Sequence, residues 1–194
     1  MMIKLTRPNC PHPDALDNEN YKHHLNKQAL KEASSDKCMY CERKISHIDF
    51  AHIEHFKPKT EDKFPDLEFE WTNLGYACPK CNNNKSDKFH NDYPYIDPYS
   101  EEPSKYFIAH GTWLFVKQGC ERADLSIRDI GLNRPELLEK RLEKVIEIQK
   151  AISACFRTNN EALRYMALQE LRKEAEPDKE YSFFIEALIT AHAA

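Results

Sequence analysis

Four cysteines in two C-x-x-C pairs are the residues whose spacing most directly predicts a chemistry. Such a pair brings two thiolates close together, and two pairs supply the four ligands of a tetrahedral zinc ion. A site closed by four thiolates has no open position for a substrate, so the predicted zinc is structural. Unrelated buried cysteines or a redox pair would not explain two such motifs in one short chain. The predicted ligands are Cys38, Cys41, Cys78 and Cys81.

Residues between and beside these pairs are suited to the hydrolysis of phosphodiesters. This reaction needs a base that deprotonates water and a hard cation that holds the phosphate and stabilises the leaving oxygen. An imidazole can be the base near neutral pH, and carboxylate and amide oxygens suit Mg²⁺ or Mn²⁺. Glu54 and His55 end one predicted strand, whereas Asn73 and Asn82 lie on a second strand and at the start of the next helix.

The order of these motifs resembles that of the HNH endonuclease family. The family's core motif is an acidic residue, a histidine and, three positions later, a proline, and EHFKP (54–58) is similar to it. Its central Asn-Leu pair corresponds to residues 73–74. Its third motif, a C-x-x-C pair followed by Asn or His and then a basic residue, corresponds to residues 78–85. The motifs together cover residues 38–85.

The resemblance implies a ββα-metal site that cleaves DNA to 5′-phosphate and 3′-hydroxyl ends. It implies that His55 is the general base, that Glu54 and Asn82 bind the catalytic Mg²⁺ or Mn²⁺, and that Asn73 fixes the loop carrying His55. The commonest family motif has Asp where this sequence has Glu54 and His where it has Asn82. The choice of divalent cation is therefore open.

Strand geometry leaves a second histidine as an alternative. Adjacent residues in a regular strand point to opposite faces, so Glu54 and His55 share a site only if the strand is bulged or twisted there. His52 lies two residues from Glu54 and shares its face, which makes it the alternative base or ligand. The family motif favours His55. For Asn82 the alternative is a polar cap at the start of a helix.

The net charge of −4 is unusual for a protein that binds nucleic acid, and both halves of the chain carry an acidic excess. Proteins that bind DNA generally use a basic face, because neutralising phosphates releases counterions. Either local lysines or a partner must supply the affinity. The candidate DNA contacts are Lys57, Lys59, Lys85 and Lys88. For the last two, a solvated helix face is an equally simple interpretation.

Further strings in both halves of the chain resemble a narrower group of HNH nucleases. KLTRP (4–8), CERK (41–44), IEHFKP (53–58), DP (97–98) and IGLN (130–133) are similar to the PtuB nucleases of Septu antiphage systems and to HNH nucleases carried with some retrons. This resemblance implies a nuclease subunit of an antiphage complex. It also implies a partner of the ABC or OLD class of ATPases.

Periodicity and turn residues predict an α+β protein in two parts. Residues 1–100 form the zinc-bearing HNH core, with an N-terminal helix over 14–35, strands within 45–56 and 71–78, and a short helix after the second cysteine pair. Residues 101–194 are predicted to contain a hairpin around Gly111 and amphipathic helices. The apolar stripes of these helices either pack in the core or form a face that docks a partner. Asn133 and Glu136, with Pro135 between them, predict a capped helix start.

The sequence has no apolar run long enough to span a bilayer, and its N-terminus lacks the apolar region of a signal peptide. These features, with an odd number of cysteines, predict a soluble cytoplasmic protein without a membrane partner. The alternative function is a non-catalytic zinc ribbon that only docks another protein. Glu54, His55 and Asn82 discriminate between the two, because a purely structural ribbon has no need of that set.

Overall fold

The chain combines helices with short antiparallel strands, as predicted for an α+β protein. The structure, a computed structural model, describes residues 3–45 and 50–193. Its helices are α1 (Pro13–Asp17), α2 (His24–Ala33), α3 (Pro79–Lys85), α4 (Glu121–Ile130), α5 (Pro135–Phe156), α6 (Glu161–Arg172) and α7 (Ser182–Ala193). Its strands are β1 (His52–His55), β2 (Leu74–Ala77), β3 (Phe107–His110) and β4 (Trp113–Val116).

Strands β1 and β2 pair antiparallel, and α3 follows β2 directly. The register runs from His52 opposite Ala77 to His55 opposite Leu74, without a bulge. Both strands are shorter than predicted. The first part of the predicted 45–56 strand includes residues 46–49, which lie outside the described residues, and Trp71–Asn73 forms a 3₁₀ turn before β2. Pro79 occupies the first turn of α3, where its missing N–H costs nothing.

The N-terminal segment forms two helices instead of the single one predicted over 14–35. Helix α1 ends at Asn18, and Glu19 adopts a left-handed backbone conformation (φ 58°) that a continuing helix does not allow. Helix α2 starts six residues later. The side chain of Asn26 accepts a hydrogen bond from the backbone N–H of His12 (3.0 Å) and donates one to its carbonyl (3.0 Å), which ties α2 to the segment before α1.

The predicted hairpin is confirmed as β3 and β4, with Gly111 at its turn (φ 58°). Its side chains alternate: one face is buried and the other exposes Ile108, Trp113 and Phe115. The predicted Asn133 cap is wrong. Helix α5 begins at Pro135, and the Asn133 amide instead bonds both backbone groups of Leu114, so a tertiary contact replaces the local one.

One buried apolar cluster contains residues from before and after residue 100, from Leu5 to Phe184. Polar contacts also join the two parts. Glu42, next to the first cysteine pair, accepts hydrogen bonds from the Ser182 hydroxyl (3.0 Å) and the Phe183 N–H (3.4 Å) at the start of α7. The boundary near residue 100 stays a prediction. Among the described helices, none combines the length and apolar character needed to cross a bilayer.

Candidate active site

The four cysteines predicted to bind zinc meet in one buried cluster. Cys38 and Cys41 lie in the turn after α2, Cys78 is the N-cap of α3, and Cys81 lies in its first turns. The turn is held against β2 by a hydrogen bond from the Met39 N–H to the Tyr76 carbonyl (2.9 Å). The pairs therefore approach each other because one turn docks beside the strand that leads into α3.

The geometry of the cluster fits a tetrahedral metal ion. The four sulfur atoms lie within 4.8 Å of one another, and those of Cys41 and Cys78 are 3.9 Å apart. Tetrahedral zinc with Zn–S bonds of about 2.3 Å requires sulfur separations of roughly 3.8 Å. Hydrogen bonds from the other three thiols, led by Cys38, hold the pKa of Cys41 well below its usual range. Burial, followed by hydrogen bonds with the other three thiols, raises the pKa of Cys38 well above its usual range.

Arg134 places a positive charge beside the cluster. Its Nη1 donates a hydrogen bond to the Cys81 sulfur (3.4 Å). Burial alone would lower the pKa of Arg134, but the negative charge of the cysteines outweighs burial and raises it. Since Arg134 caps α5, the start of this long helix is attached to the cysteine cluster.

A polar cleft lies beside β1 and α3, and Glu54, His55 and Asn82 all contribute to its lining. The cleft has a volume of about 550 Å³. The pairing of β1 with β2 shows no bulge at these residues. Their side chains have different partners: Glu54 contacts Lys85 of α3, whereas His55 contacts the Glu68 carbonyl. The other lining residues are Tyr21, Ile53, Pro58, Lys59, Thr60, Asn83, Ser86 and Asp87.

Glu54 is buried and paired. Its Oε1 lies 2.7 Å from the ammonium of Lys85 and accepts a hydrogen bond from the Tyr40 hydroxyl (3.1 Å). Burial raises the pKa of Glu54, while Lys85 and then Tyr40 act against that shift. Both contacts are made by Oε1, so neither of them uses the other carboxylate oxygen, Oε2.

His55 is held by a backbone carbonyl at the end of β1. Its Nε2 lies 2.9 Å from the carbonyl oxygen of Glu68. A carbonyl can only accept, so Nε2 carries the proton and Nδ1 is the basic nitrogen in the neutral ring. Burial lowers the pKa of His55, and the Glu68 carbonyl partly offsets that effect. The imidazole is therefore uncharged at neutral pH.

His52 faces α3 and contacts Asn82. The Asn82 amide nitrogen lies 2.8 Å from Nδ1 of His52. If the amide donates this bond, its carbonyl oxygen is left for another partner. Asn82 is the fourth residue of α3, whose N-cap is Cys78, so the capping interpretation of Asn82 is wrong. The expectation that His52 shares a face with Glu54 is confirmed, because both contact α3.

Asn73 joins the loop after β1 to β2. Its Oδ1 accepts a hydrogen bond from the Lys57 N–H (2.7 Å), and its Nδ2 donates to the carbonyls of Lys57 (2.9 Å) and Leu67 (3.0 Å). The residue is almost fully buried. Its amide thus closes the loop of residues 56–73 onto itself directly after His55.

The four candidate DNA contacts have different environments. Lys57 is half-buried with its ammonium over the Phe64 ring, Lys59 forms an ion pair with Glu68, and Lys88 is exposed. Lys85 is completely buried, and its ammonium bonds Glu54 and the His55 carbonyl (2.8 Å). The prediction that Lys85 contacts DNA is therefore wrong, because a phosphate cannot reach it and Glu54 already compensates its charge. The same burial excludes the alternative interpretation, in which Lys85 lies on a solvated helix face.

Two tyrosines that the sequence did not single out belong to this site. Tyr40 lies inside the first C-x-x-C pair and bonds Glu54. Tyr21 lies between α1 and α2, and its ring packs edge-on against His55, with 4.7 Å between ring centroids. Only the position of Tyr40 inside a motif carried a signal. No local pattern marked Tyr21.

Comparison with known proteins places the motifs in a family. Residues 38–88 match the model of the HNH endonuclease family. That range contains the four cysteines and the cleft residues of β1 and α3.

Three relatives are similar over longer stretches, each at 28% identity. The Septu protein PtuB of Bacillus thuringiensis matches 97% of this chain and 82% of its own length. The Septu protein PtuB of Bacillus mycoides (strain KBAB4) matches 81% of this chain and 64% of its own length. The HNH endonuclease named for retron Vc95 of Vibrio cholerae matches 59% of this chain and 62% of its own length. The resemblance inferred from the motifs is thereby confirmed: residues 38–88 match the HNH endonuclease family, and most of the chain is similar to Septu PtuB proteins.

Proposed function

We propose that the chain is a metal-dependent DNA endonuclease and the nuclease subunit of an antiphage defence complex. The observation that carries the proposal is the single cleft lined by Glu54, His55 and Asn82. It holds a base, a carboxylate and an amide oxygen within one space, which are the groups that phosphodiester hydrolysis needs. The HNH match over residues 38–88 supports the reaction class.

His55 acts as the general base in this proposal. Nδ1 takes a proton from a water molecule, whose oxygen attacks phosphorus. The bond between phosphorus and the 3′ oxygen breaks, and the released 3′ oxygen takes a proton from a second water molecule. The products are a 5′-phosphate and a 3′-hydroxyl. The hydrogen bond from Nε2 to the Glu68 carbonyl fixes the tautomer that presents a basic Nδ1, and burial keeps the ring neutral.

Glu54 and Asn82 would hold Mg²⁺ or Mn²⁺ through oxygen atoms. Oε2 of Glu54 and Oδ1 of Asn82 would be the donors, since Oε1 contacts Lys85 and Tyr40 and the Asn82 amide nitrogen contacts His52. A bound cation would hold the scissile phosphate and stabilise the leaving oxygen. In this arrangement His52 orients the amide of Asn82, and His55 deprotonates the attacking water.

The zinc of the cysteine cluster is structural in this proposal. It ties the turn after α2 to the start of α3, and α3 carries Asn82. Asn73 fixes the loop that leaves His55. The lysines proposed to contact DNA are Lys57, Lys59 and Lys88, because Lys85 is buried.

A protein partner supplies what this acidic chain lacks. A chain at −4 neutralises few phosphates, so its own affinity for DNA at physiological salt is low. We propose that an ATPase of the ABC or OLD class captures DNA and restrains the nuclease, and that residues 101–194 dock it. The similarity to proteins named for Septu systems supports a defence complex.

A non-catalytic zinc ribbon is the second candidate, and the buried pair of Glu54 and Lys85 favours it. A carboxylate paired in this way can serve the fold alone. Cleavage assays separate the two candidates. Supercoiled plasmid DNA is incubated with the purified chain, alone and with its co-purified partner, in Mg²⁺ or Mn²⁺.

His55→Ala is the decisive variant for the nuclease. It should lower the cleavage rate by about 10²–10⁴-fold, the usual contribution of a general base, with zinc content and fold unchanged. Re-ligation of the products without a kinase checks for the 5′-phosphate. If His52→Ala abolishes cleavage and His55→Ala does not, the base is His52. If no divalent cation supports cleavage by chain and partner together, the ribbon is the better description.

A further inference from the structure

Tyr21 brings the N-terminal segment into the cleft. It lies in the turn between α1 and α2, outside the residues that match the HNH family. Its ring meets the His55 imidazole in a T-shaped arrangement, with centroids 4.7 Å apart and planes at 74°. Edge-to-face packing of this kind is a favoured geometry for aromatic pairs. The ring therefore restricts the imidazole in addition to the hydrogen bond at Nε2.

Tyr21 and His55 belong to a group of four residues in mutual contact, together with Lys59 and Glu68. The ammonium of Lys59 donates a hydrogen bond to the Tyr21 hydroxyl (3.2 Å) and lies over its ring, 4.3 Å from the centroid. The same ammonium pairs with the Glu68 carboxylate. The backbone carbonyl of Glu68 accepts the hydrogen bond from His55. Each member contacts the next, so displacing one loosens the others.

The N-terminal helices hold Tyr21 in place. Leu16 of α1 and Leu30 of α2 are buried in the main apolar cluster. The Asn26 amide bonds both backbone groups of His12, and α2 packs against β2. The turn that carries Tyr21 is thus anchored at both ends to the body that carries His55.

We propose that Tyr21 is a positioning residue for His55, which acts by fixing the orientation of the imidazole through ring packing. This rests on the proposed function, in which His55 is the general base. A base displaced by about 1 Å can lose roughly 10² in rate. The proposal therefore assigns the turn between α1 and α2 to the active site, although the family match begins after it.

The experiment compares Tyr21→Phe, Tyr21→Leu and Tyr21→Ala in the chain with its co-purified partner. Tyr93→Ala, at an exposed tyrosine, is the matched control. Tyr21→Phe keeps the ring and should retain kcat within about 3-fold, whereas Tyr21→Leu and Tyr21→Ala should lower kcat by about 10–100-fold with KM nearly unchanged. The His55 ring proton chemical shifts should move in the Leu and Ala variants and stay in the Phe variant. Zinc content and circular dichroism verify that each variant is folded.

Three results would overturn the inference. A folded Tyr21→Leu variant with wild-type kcat means that His55 needs no such packing. A fall in Tyr21→Phe equal to that in Tyr21→Ala, carried by KM, means that the hydroxyl contacts substrate instead. If the wild-type pair does not cleave DNA with any divalent cation, the proposed function fails and the role of Tyr21 fails with it. In the first two cases wild-type cleavage persists, so the two failures are distinguishable.

Discussion

The ammonium of Lys85 lies 2.7 Å from the carboxylate of Glu54, and both side chains are buried between α3 and β1. The pair joins the helix to the strand, and Lys85 also bonds the carbonyl of His55 at the strand's end. Removing one partner of such a pair leaves the other charge buried and uncompensated. The pair therefore has a structural role whatever Glu54 does in the cleft.

Lys85→Met is expected to lower the free energy of unfolding by about 3–5 kcal/mol, because it strands the carboxylate of Glu54. Lys88→Met, at an exposed lysine three residues after the end of α3, is the control and should change stability by no more than about 0.5 kcal/mol. Denaturant unfolding of the zinc-loaded chain measures both. Equal effects of the two substitutions would contradict the buried pair.

The contact between His52 and Asn82 predicts that His52 affects binding of the catalytic cation, whereas His55 affects the cleavage step. His52→Ala removes the partner that orients the Asn82 amide. We expect it to weaken binding of the catalytic cation by about 10–100-fold, the usual effect of removing a residue that orients a metal ligand. His55→Ala should leave that affinity unchanged while abolishing cleavage. Mn²⁺ titration followed by calorimetry or paramagnetic broadening tests this, and a larger loss of affinity in His55→Ala would reverse the assignment.

The cysteine cluster predicts that zinc and folding are coupled. Cys78→Ser should give an unfolded or insoluble chain, because a closed four-thiolate site contributes its binding energy to folding. Metal analysis of the wild-type chain should find about one zinc per molecule, as a single site requires. Soluble, zinc-free protein with full activity would contradict a structural zinc.

Arg134→Ala tests the contact between the cluster and helix α5. It removes the donor to the Cys81 sulfur (3.4 Å) and the positive charge beside the thiolates. Hydrogen bonds to charged groups contribute about 1.5–3 kcal/mol, which corresponds to roughly 10–150-fold in zinc affinity if the whole contact depends on the metal-bound thiolates. A competition titration with a chromophoric chelator measures the change. An unchanged affinity would show that Arg134 serves α5 alone.

Local patterns predicted the hairpin and the shared face of His52 and Glu54, because both depend on residues close in sequence. Gly111 supplies the positive φ of a tight turn, and alternation along a strand puts every second residue on one face. The cysteine cluster was predicted for another reason. Cys41 and Cys78 are 37 positions apart, and their convergence followed from the four ligands that tetrahedral zinc needs.

Long-range partners explain what the sequence could not predict. Lys85 follows Cys81 by one helical turn, and nothing local indicates that its charge pairs with Glu54, thirty-one positions earlier in the chain. The capping pattern at Asn133 was overridden by Leu114 of the hairpin. Tyr21 reaches the site because α2 packs beside β2. Tertiary contacts decided these positions, and local propensity carries no information about them.

Three neighbouring histidines predict a pH-dependent N-terminal segment. The His23 ring lies 4.2 Å from that of His12 and 4.6 Å from that of His24. Burial, followed by the charges of His12 and His24, lowers the pKa of His23. Below the ordinary histidine pKa of about 6.5, the unfolded chain therefore binds more protons at this residue than the folded chain does. The stabilisation is present above that pH and is lost as pH falls through the folded-state pKa.

His23→Gln should accordingly flatten the loss of stability on acidification. The measurement is the denaturant midpoint at about pH 7.5 and about pH 5.5, a range in which histidine titrates. His110→Gln, at an exposed histidine of the hairpin, is the control and should behave as wild type. If His23→Gln loses as much stability as wild type between the two pH values, the histidine cluster does not carry the dependence.

The exposed face of the hairpin predicts where the partner docks. Ile108, Trp113 and Phe115 are about half-exposed on one side of β3 and β4. Clustered aromatic side chains are the usual anchors of protein interfaces, where truncating one costs about 2 kcal/mol or more. The double variant Trp113→Ser, Phe115→Ser should therefore bind the partner at least about 30-fold more weakly. Less of the complex should co-purify as a result. Tyr93→Ser, at an exposed tyrosine outside residues 101–194, is the control and should leave the complex intact.

The net charge of −4 supplies the reason to expect a complex at all. Since non-specific affinity comes mainly from phosphate neutralisation, the isolated chain should bind and cleave DNA poorly at about 150 mM salt, and the complex should do so efficiently. The chain is co-expressed with the product of the neighbouring gene and resolved by size exclusion, and nuclease activity is assayed for the pair and for each part. Efficient cleavage by the isolated monomer at that salt would remove the charge argument. Failure of the neighbouring product to co-purify would remove the partner, and with it the docking role of the hairpin.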